Sequence, residues 1–260
     1  MLTLEYGNRS LVAQRMGINT KTFADYYRGK AHMDYKTLIC LEELLNIKFE
    51  IKKFKSERQS LPVSLPKELS REFAELMGLL LSNSQIKGNR NIILLHNTPN
   101  TRDRFAFLTK ILFGLKPTEI YNKNAIVSSL NSKLVVEYLI WQGIPKIKRA
   151  QTCRIPNFIV SGKIDFLKSF LAGFIAGDGH IGDDCVEIVT SNSEINSDLS
   201  EILTRLGIVN LMESNNDKAR DGFVNRIEWN QISKLNVILS SEFKYLKIQR
   251  INKLADNLHI

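Results

Sequence analysis

The sequence predicts an α+β protein in which one structural unit occurs twice, preceded by a small all-α segment. Three observations indicate this fold class. A helix-like run of small and apolar residues occupies 170–178, and an altered copy occupies 75–83. Each run is followed by the same order of strand-like and helix-like patterns. Residues 9–45 show only the apolar spacing of short helices. A repeated order of elements at a fixed spacing is typical of an internally duplicated domain.

The N-terminal segment, residues 1–47, is predicted to form three short helices. Ser10 is expected to cap the first helix and Asn19 or Thr20 the second, with Gly17 permitting a tight turn between them. The third helix is predicted over 35–45. This pattern resembles a helix-turn-helix of the phage-repressor type, which implies that the second helix enters a DNA groove. A three-helix packing unit without DNA contact is the alternative. The residues that would face DNA are Thr20, Lys21, Thr22, Asp25, Tyr26 and Arg28.

Residues 48–66 are predicted to be a linker, because Ser, Gln and two prolines follow a short alternating stretch. One constant offset then relates Gly78 to Gly173 and Asn83 to Asp178, which places repeat 1 at 67–160 and repeat 2 at 161–260. After its first helix, each repeat is predicted to contain a strand, a helix, two strands and a helix. The predicted strands are 91–98, 116–121, 125–129, 185–192, 208–213 and 223–229, and the final helices are 131–141 and 231–240.

Small residues four positions apart mark the first helix of each repeat. Residues at i and i+4 share a face, so two helices with small residues there can approach closely. A pseudo-twofold axis between the helices would bring positions 83 and 178 side by side. Gly179 is expected to adopt the left-handed turn that ends the second helix. The residues predicted to form this helix interface are Gly78, Ser82, Gly173 and Gly177.

Composition narrows the class of partner. The formal net charge of +9 and the pI near 9.4 favour a polyanion such as nucleic acid. The apolar stretches are too short to span a bilayer, and the N-terminus lacks the layout of a secretion signal. The three cysteines have no metal-ligand spacing, which is typical of reduced thiols in a cytoplasmic compartment.

The motif LAGFIAGDG, from Leu171 to Gly179, resembles the signature of the LAGLIDADG homing endonucleases. LMGLLLSNS, from Leu76 to Ser84, resembles the first motif of a single-chain, two-motif member. Residues 143–159 are similar to the Lys-then-Ile-Pro block between such motifs, and no intein splicing ends are visible. The resemblance implies two αββαββα halves whose strands form a curved sheet that straddles double-stranded DNA. A monomer is expected, since the chain supplies its own dyad partner.

The resemblance also implies a set of DNA contacts. One lysine of each half would lie near the scissile phosphates: Lys148 in repeat 1 and Lys244 in repeat 2, with Lys247 as the alternative to Lys244. Ordinary phosphate-neutralising surface lysines are the alternative interpretation of both. The strand and loop residues that would contact DNA are Arg90, Asn91, His96, Lys116, Lys123, Asn192, Lys218, Arg220 and Arg226.

The first motif departs from the family at its acid. Active members supply one acid per motif, and the pair holds metal ions that activate water. Here Asp178 matches but Asn83 offers only an amide oxygen, so Mg²⁺, the expected cofactor, would be held weakly. Two functions therefore stay open: a sequence-specific double-stranded DNA-binding protein that has lost cleavage and acts as a regulator, or a metal-dependent endonuclease or nickase that uses Asp178. A purely structural or protein-binding role is disfavoured by the basic pI and the duplication.

Overall fold

The computed structural model describes residues 8–31, 33–46, 48–49, 51, 53–54, 62–96, 98–122, 125–146, 153–183, 185–215, 222–239 and 246–257. The chain divides into two compact units, Met1–Lys52 and Lys53–Ile260. The first unit contains helices, and the second contains helices and two four-stranded antiparallel sheets. The predicted α+β fold class with a preceding helical part is confirmed.

The N-terminal unit contains helices α1 (Arg9–Arg15), α2 (Thr20–Tyr27) and α3 (Tyr35–Leu45). The predicted cap of α1 is wrong: Asn8 precedes the helix and accepts a hydrogen bond from the Ser10 backbone N–H. Asn19 caps α2 in the same way, as predicted. Gly17, with φ of 65°, forms the turn between these helices. The buried side chains that hold the unit together are Val12, Ala13, Met16, Phe23 and Leu41.

Repeat 1 begins with a long buried helix and continues into a sheet covered by two further helices. Its strands run in the spatial order β1-β2-β4-β3, and neighbours are antiparallel. The elements are α4 (Arg71–Asn83), β1 (Ser84–Lys87), β2 (Asn91–His96), α5 (Pro99–Phe113), β3 (Thr118–Asn122), β4 (Ala125–Asn131) and α6 (Lys133–Trp141).

Repeat 2 has the same order of elements after a short helix, and its sheet runs β5-β6-β8-β7. A final helix packs against α10 of this repeat. The elements are α7 (Asn157–Val160), α8 (Ile164–Asp178), β5 (Gly179–Ile181), β6 (Cys185–Thr190), α9 (Ser193–Arg205), β7 (Leu211–Asn215), β8 (Gly222–Glu228), α10 (Trp229–Ile238) and α11 (Leu246–Asn257).

The shared strand order confirms the predicted duplication. Residue periodicity alone predicted three strands per repeat and missed β1 and β5, which follow the long helices directly. Strands of four and three residues are too short to show an alternating pattern. The resemblance to αββαββα halves did imply a strand at each of these places. In the part of the chain that the structure describes, no helix is long and apolar enough to cross a membrane.

The segment between the repeats is tied to repeat 2 through one buried carboxylate. Asp198 accepts hydrogen bonds from the Arg154 guanidinium at 2.9 Å and from the Ile155 backbone N–H at 2.8 Å. This pairing raises the pKa of Arg154, because the nearby carboxylate favours the charged guanidinium. The chain is therefore fixed against helix α9 just before α7 begins.

A buried ion pair in repeat 1 allows a stability prediction. Glu75 on α4 is 2% exposed and accepts two hydrogen bonds from Arg104 on α5, at 2.8 and 2.6 Å. Arg104 is 21% exposed and also stacks on Phe107. Removing Arg104 leaves a charge buried, which costs about 3–5 kcal/mol, whereas removing Glu75 leaves a cation that water can reach.

We therefore expect Arg104→Met to lower the free energy of unfolding more than Glu75→Gln does. Urea denaturation of both variants and of the double variant tests this order. Equal losses of unfolding free energy in the two single variants would contradict the explanation that Glu75 is more deeply buried than Arg104.

Candidate functional site

The two long helices α4 and α8 pack against each other through glycines. A β-carbon added to Gly78 would lie 2.0 Å from the Phe170 carbonyl oxygen, and one added to Gly173 would lie 2.1 Å from the Glu75 carbonyl oxygen. Such distances are far below van der Waals contact, so the two backbones touch directly at these positions. The two contacts are counterparts in the two repeats, as expected for helices related by a pseudo-twofold axis.

The carboxyl ends of these helices lie together. A β-carbon added to Gly177 would lie 1.8 Å from the Ser82 Oγ and 3.2 Å from the Asn83 Cβ. Asn83 and Asp178 are the last residues of their helices, and both are half-buried. The structure thus brings together Gly78, Ser82, Gly173 and Gly177 along the interface and sets Asn83 beside the residue that precedes Asp178.

Gly179 does not adopt the predicted left-handed turn. Its backbone is extended, with φ of −68° and ψ of 139°, and it begins strand β5. A β-carbon there would lie 2.6 Å from the Ile175 carbonyl oxygen. The glycine is needed because the chain passes close to the helix it has just left, so that α8 leads into a strand without an intervening turn.

The electrostatics of the paired helix ends depend on one carboxylate. Helix C-termini carry partial negative charge, and Asp178 adds a full one, whereas Asn83 adds an amide dipole. Among the residues that the structure describes, no group of three or more His, Cys, Asp or Glu could hold a metal ion. One carboxylate and one amide oxygen supply too little charge for a pair of divalent cations. This donor set does not fit a two-metal site.

The strand and loop residues predicted to contact DNA differ in their exposure and in their interaction partners. Arg90 and Lys116 are exposed, and Asn91 is half-buried, with its Oδ1 buried and lacking a hydrogen-bond partner among the described groups. Arg226 is 31% exposed and pairs with two glutamates of its own sheet. Lys123, Lys148, Lys218, Arg220 and Lys244 lie outside the described residues, as do the side chains of His96 and Lys247.

Asn192 has a structural role that contradicts its prediction as a DNA contact. It is 6% exposed and caps helix α9, where its Oδ1 accepts hydrogen bonds from the backbone N–H groups of Glu194 and Ile195. A side chain that is buried and occupied in this way is not available to a base edge. The sequence did carry the signal, since Asn directly before a helical pattern is typical of an N-cap.

The residues predicted to contact DNA from the N-terminal unit lie in α2 or directly after it. Thr20, Lys21 and Arg28 are exposed, while Thr22 and Tyr26 are half-buried. Burial, followed by the nearby Asp34 carboxylate, raises the pKa of Tyr26. Sequence reasoning missed Arg9, whose guanidinium lies 4.5 Å from the centre of the Tyr27 ring and adds a cation beside α2.

Residues 154–243 match the family model described as homing endonuclease. The chain is 27% identical over 166 residues to an A-type ATP synthase subunit of Pyrococcus abyssi, covering 63% of this chain and 16% of that protein. It is 22% identical over 191 residues to the glutamine–fructose-6-phosphate aminotransferase of Methanocaldococcus jannaschii, covering 72% of this chain and 17% of that protein. The chain thus spans about a sixth of the length of these curated relatives.

Two solved structures have the same fold. The crystal structure of I-DmoI in complex with DNA and Mn superposes with a TM-score of 0.52 at 18% identity, covering 66% of this chain and 98% of that chain. The N-terminal LAGLIDADG domain of DUF199/WhiA superposes with a TM-score of 0.50 at 17% identity, covering 70% and 88%. Identities this low establish a shared fold alone.

Proposed function

We propose that this chain, whose duplicated unit has the LAGLIDADG homing endonuclease fold, is a sequence-specific double-stranded DNA-binding protein that has lost double-strand cleavage. One observation supports the loss of cleavage: at the paired ends of α4 and α8, Asn83, and not a second acid, lies beside Gly177, the residue that precedes Asp178. The structures of I-DmoI in complex with DNA and Mn or Ca support DNA as the partner and a divalent cation as the ion that an active site would use.

Charge and architecture support the rest of the proposal. The net charge of +9 suits a polyanionic partner, and the internal duplication gives one chain two related halves, so that a monomer suffices to bind DNA. The scattered cysteines support a reducing, cytoplasmic compartment. A protein that binds a chosen sequence without cutting it is suited to regulation, with α2 of the N-terminal unit reading additional bases.

In this proposal each part of the chain has its own role. The sheets and the N-terminal helices hold the DNA, and the glycine contacts fix the spacing of the two halves. If Mg²⁺ binds, Asp178 and the amide oxygen of Asn83 would hold it, and the ion would supply charge neutralisation beside a phosphate. Since one carboxylate does not fit the pair of ions that cleavage uses, no hydrolytic step is assigned to these residues.

The test is a binding selection followed by a cleavage assay. The full chain is incubated with a random double-stranded DNA library, and the enriched sequences are then incubated with the protein and Mg²⁺ or Mn²⁺. We expect specific binding and intact DNA. Specific cutting or nicking that disappears in Asp178→Asn would instead establish the endonuclease or nickase.

The salt dependence of binding provides a second prediction. Proteins that neutralise several phosphates lose affinity steeply as salt rises, by about 10³-fold or more between 50 and 200 mM for six or more contacts. We expect a steep slope for the whole chain, and a shallower slope after Lys21→Gln and Arg28→Gln, since both cations are exposed on or beside α2. Fluorescence anisotropy across a salt series measures both slopes. An unchanged slope would exclude α2 from phosphate contact.

A further inference from the structure

The N-terminal unit holds the chain at Phe49, beyond its last helix. The Phe49 side chain packs against the apolar core of this unit, and its backbone N–H donates to the Glu42 Oε1 of α3 at 2.8 Å. Asn46, with φ of 49°, ends α3 in the left-handed conformation. The chain is therefore fixed to the N-terminal unit as far as Phe49.

The C-terminal unit holds the chain again at Phe54. The Phe54 N–H donates to the Val63 carbonyl oxygen and the Val63 N–H donates to the Phe54 carbonyl oxygen, both at 2.7 Å. Val63 is fully buried, and the Ser64 N–H donates to the Phe113 carbonyl oxygen at the end of α5. Phe54 is therefore tied to repeat 1 through Val63.

The residues that follow Val63 belong to the core of repeat 1. Leu65 is buried, and the Pro66 carbonyl oxygen accepts a hydrogen bond from the Tyr138 hydroxyl at 2.7 Å. Tyr138 is itself buried, with its ring centre 5.8 Å from that of Phe73 and 6.1 Å from that of Phe113. Apolar burial of this kind is favourable, so the attachment holds while repeat 1 is folded.

Four residues, 50–53, separate the two attachments. A polypeptide spans at most about 3.6 Å per residue, so the five steps from Phe49 to Phe54 reach at most about 18 Å. If the whole of 48–66 were free, the same rule would allow roughly 70 Å. One turn of B-DNA rises about 34 Å. The shorter reach is thus about half a turn of DNA, and the longer reach about two turns.

We propose that residues 50–53, here called the spacer, fix the separation between two parts of one composite DNA target. One part is bound by the N-terminal unit and the other by the duplicated unit. Two linked binding units add to each other's affinity only if the tether lets both reach their sites at once. A spacer this short meets that condition at one separation, so the distance between the two parts is recognised as well as their bases. This inference rests on the proposed DNA-binding function.

The first step of the test locates the two parts of the target. The full wild-type chain and a chain with Lys21→Gln and Arg28→Gln each select sites from a random double-stranded DNA library at one salt concentration. Base preferences that weaken in the variant belong to the part bound by the N-terminal unit. We expect these positions on one side of the selected site. If no preference weakens, the N-terminal unit binds no defined part of the target and the inference is overturned.

The second step moves the two parts of the target away from each other. Ten base pairs inserted between them shift one part by about 34 Å and keep it on the same face of the DNA. This shift is nearly twice the full reach of the spacer. We expect the wild-type chain to bind the shifted site about 100-fold more weakly than the original, because the gain from linked binding is lost. Equal affinities for the two sites, measured by fluorescence anisotropy, would contradict a fixed separation.

Two insertion variants test whether the spacer sets this separation. A stretch of fifteen Gly and Ser residues inserted between positions 52 and 53 lengthens the spacer and adds roughly 50 Å of reach. We expect this variant to bind the original and the shifted site with affinities within about 10-fold of each other. The matched control carries the same insertion between positions 57 and 58, beyond the attachment at Phe54. It lengthens the chain equally but leaves the spacer unchanged, so it is expected to behave like the wild-type chain.

The outcomes separate this inference from the proposed function. A lengthened spacer that leaves the loss of affinity in place, or a control insertion that removes it, would overturn the role of the spacer and leave the DNA-binding function standing. A wild-type chain that enriches no DNA sequence would overturn both. The comparison of the two DNA sites with the wild-type chain needs no altered protein, so it decides the question of fixed separation even where an insertion destabilises the fold.

Discussion

Replacing Gly173 by alanine is expected to lower the free energy of unfolding of the C-terminal unit by about 3 kcal/mol, the upper part of the range for overpacking. The added β-carbon would lie 2.1 Å from the Glu75 carbonyl oxygen and 2.9 Å from the Leu79 nitrogen. Both atoms belong to the backbone of a buried helix, so neither can rotate away. The clash can be relieved only by separating α4 from α8, which opens the core between the repeats.

The sign of this effect is informative because helix propensity acts in the opposite direction. Alanine in a helix interior is favoured over glycine by about 1 kcal/mol. Replacing a helical glycine that has no close neighbours by alanine would therefore raise the free energy of unfolding. Gly114→Ala is the matched control: its φ is 73°, and an added β-carbon has no neighbour within 4 Å. The control loses only the roughly 1–2 kcal/mol of a left-handed alanine.

Urea denaturation followed by tryptophan fluorescence measures both variants, and both tryptophans of the chain, Trp141 and Trp229, lie in the C-terminal unit. Gly78→Ala is expected to match Gly173→Ala, since its β-carbon would meet the Phe170 carbonyl oxygen at 2.0 Å. A Gly173→Ala variant as stable as the wild-type chain, or more stable, would mean that the two backbones do not touch.

Much of the fold could be predicted because its signals are local. The glycine spacing, the apolar faces and the repeated order of elements all lie within short stretches of sequence. The resemblance then supplied β1 and β5, which are too short to carry a pattern of their own. The helix at 246–257 was missed, although Ile248, Ile251 and Ala255 recur at helical spacing and the last two are buried.

The partners of charged side chains could not be predicted, since they depend on register and packing. Arg104 reaches Glu75 from another helix, and nothing near either residue indicates the pairing. Arg226 was predicted as a DNA contact because the resemblance places polar strand residues against DNA, and nothing in the sequence showed that the strand register sets it beside Glu187. Asn192 was misassigned for a different reason: its position directly before a helical pattern is typical of an N-cap, and that signal was not applied to it.

Asn83→Asp is expected to restore a metal-dependent site. The new carboxylate would end α4 beside Gly177, the residue that precedes Asp178, at helix ends that already carry partial negative charge. Without divalent cations we expect the variant to lose about 1–2 kcal/mol of stability, since like charges at close range repel even under strong screening. A cation that bridges both acids would remove the repulsion.

The first readout is stability, which does not depend on catalysis. Mg²⁺ or Mn²⁺ at about 100 times its dissociation constant would stabilise the folded variant by about 2.7 kcal/mol, seen as a rise in Tm relative to the same sample in EDTA. The wild-type chain is expected to show a much smaller rise. Asn157→Asp adds the same charge at an exposed position of α7 and is expected to show no response to metal.

The second readout is cleavage of the selected DNA site. If the absent acid alone explains the loss of activity, Asn83→Asp gains specific cutting, and adding Asp178→Asn to it abolishes both the cutting and the metal-dependent rise in Tm. A rise in Tm without cutting would mean that further residues of the active arrangement have also been lost. A variant that shows neither a loss of stability in EDTA nor a rise in Tm with metal would contradict the pairing of the two helix ends, because two close carboxylates either bind a cation together or repel each other.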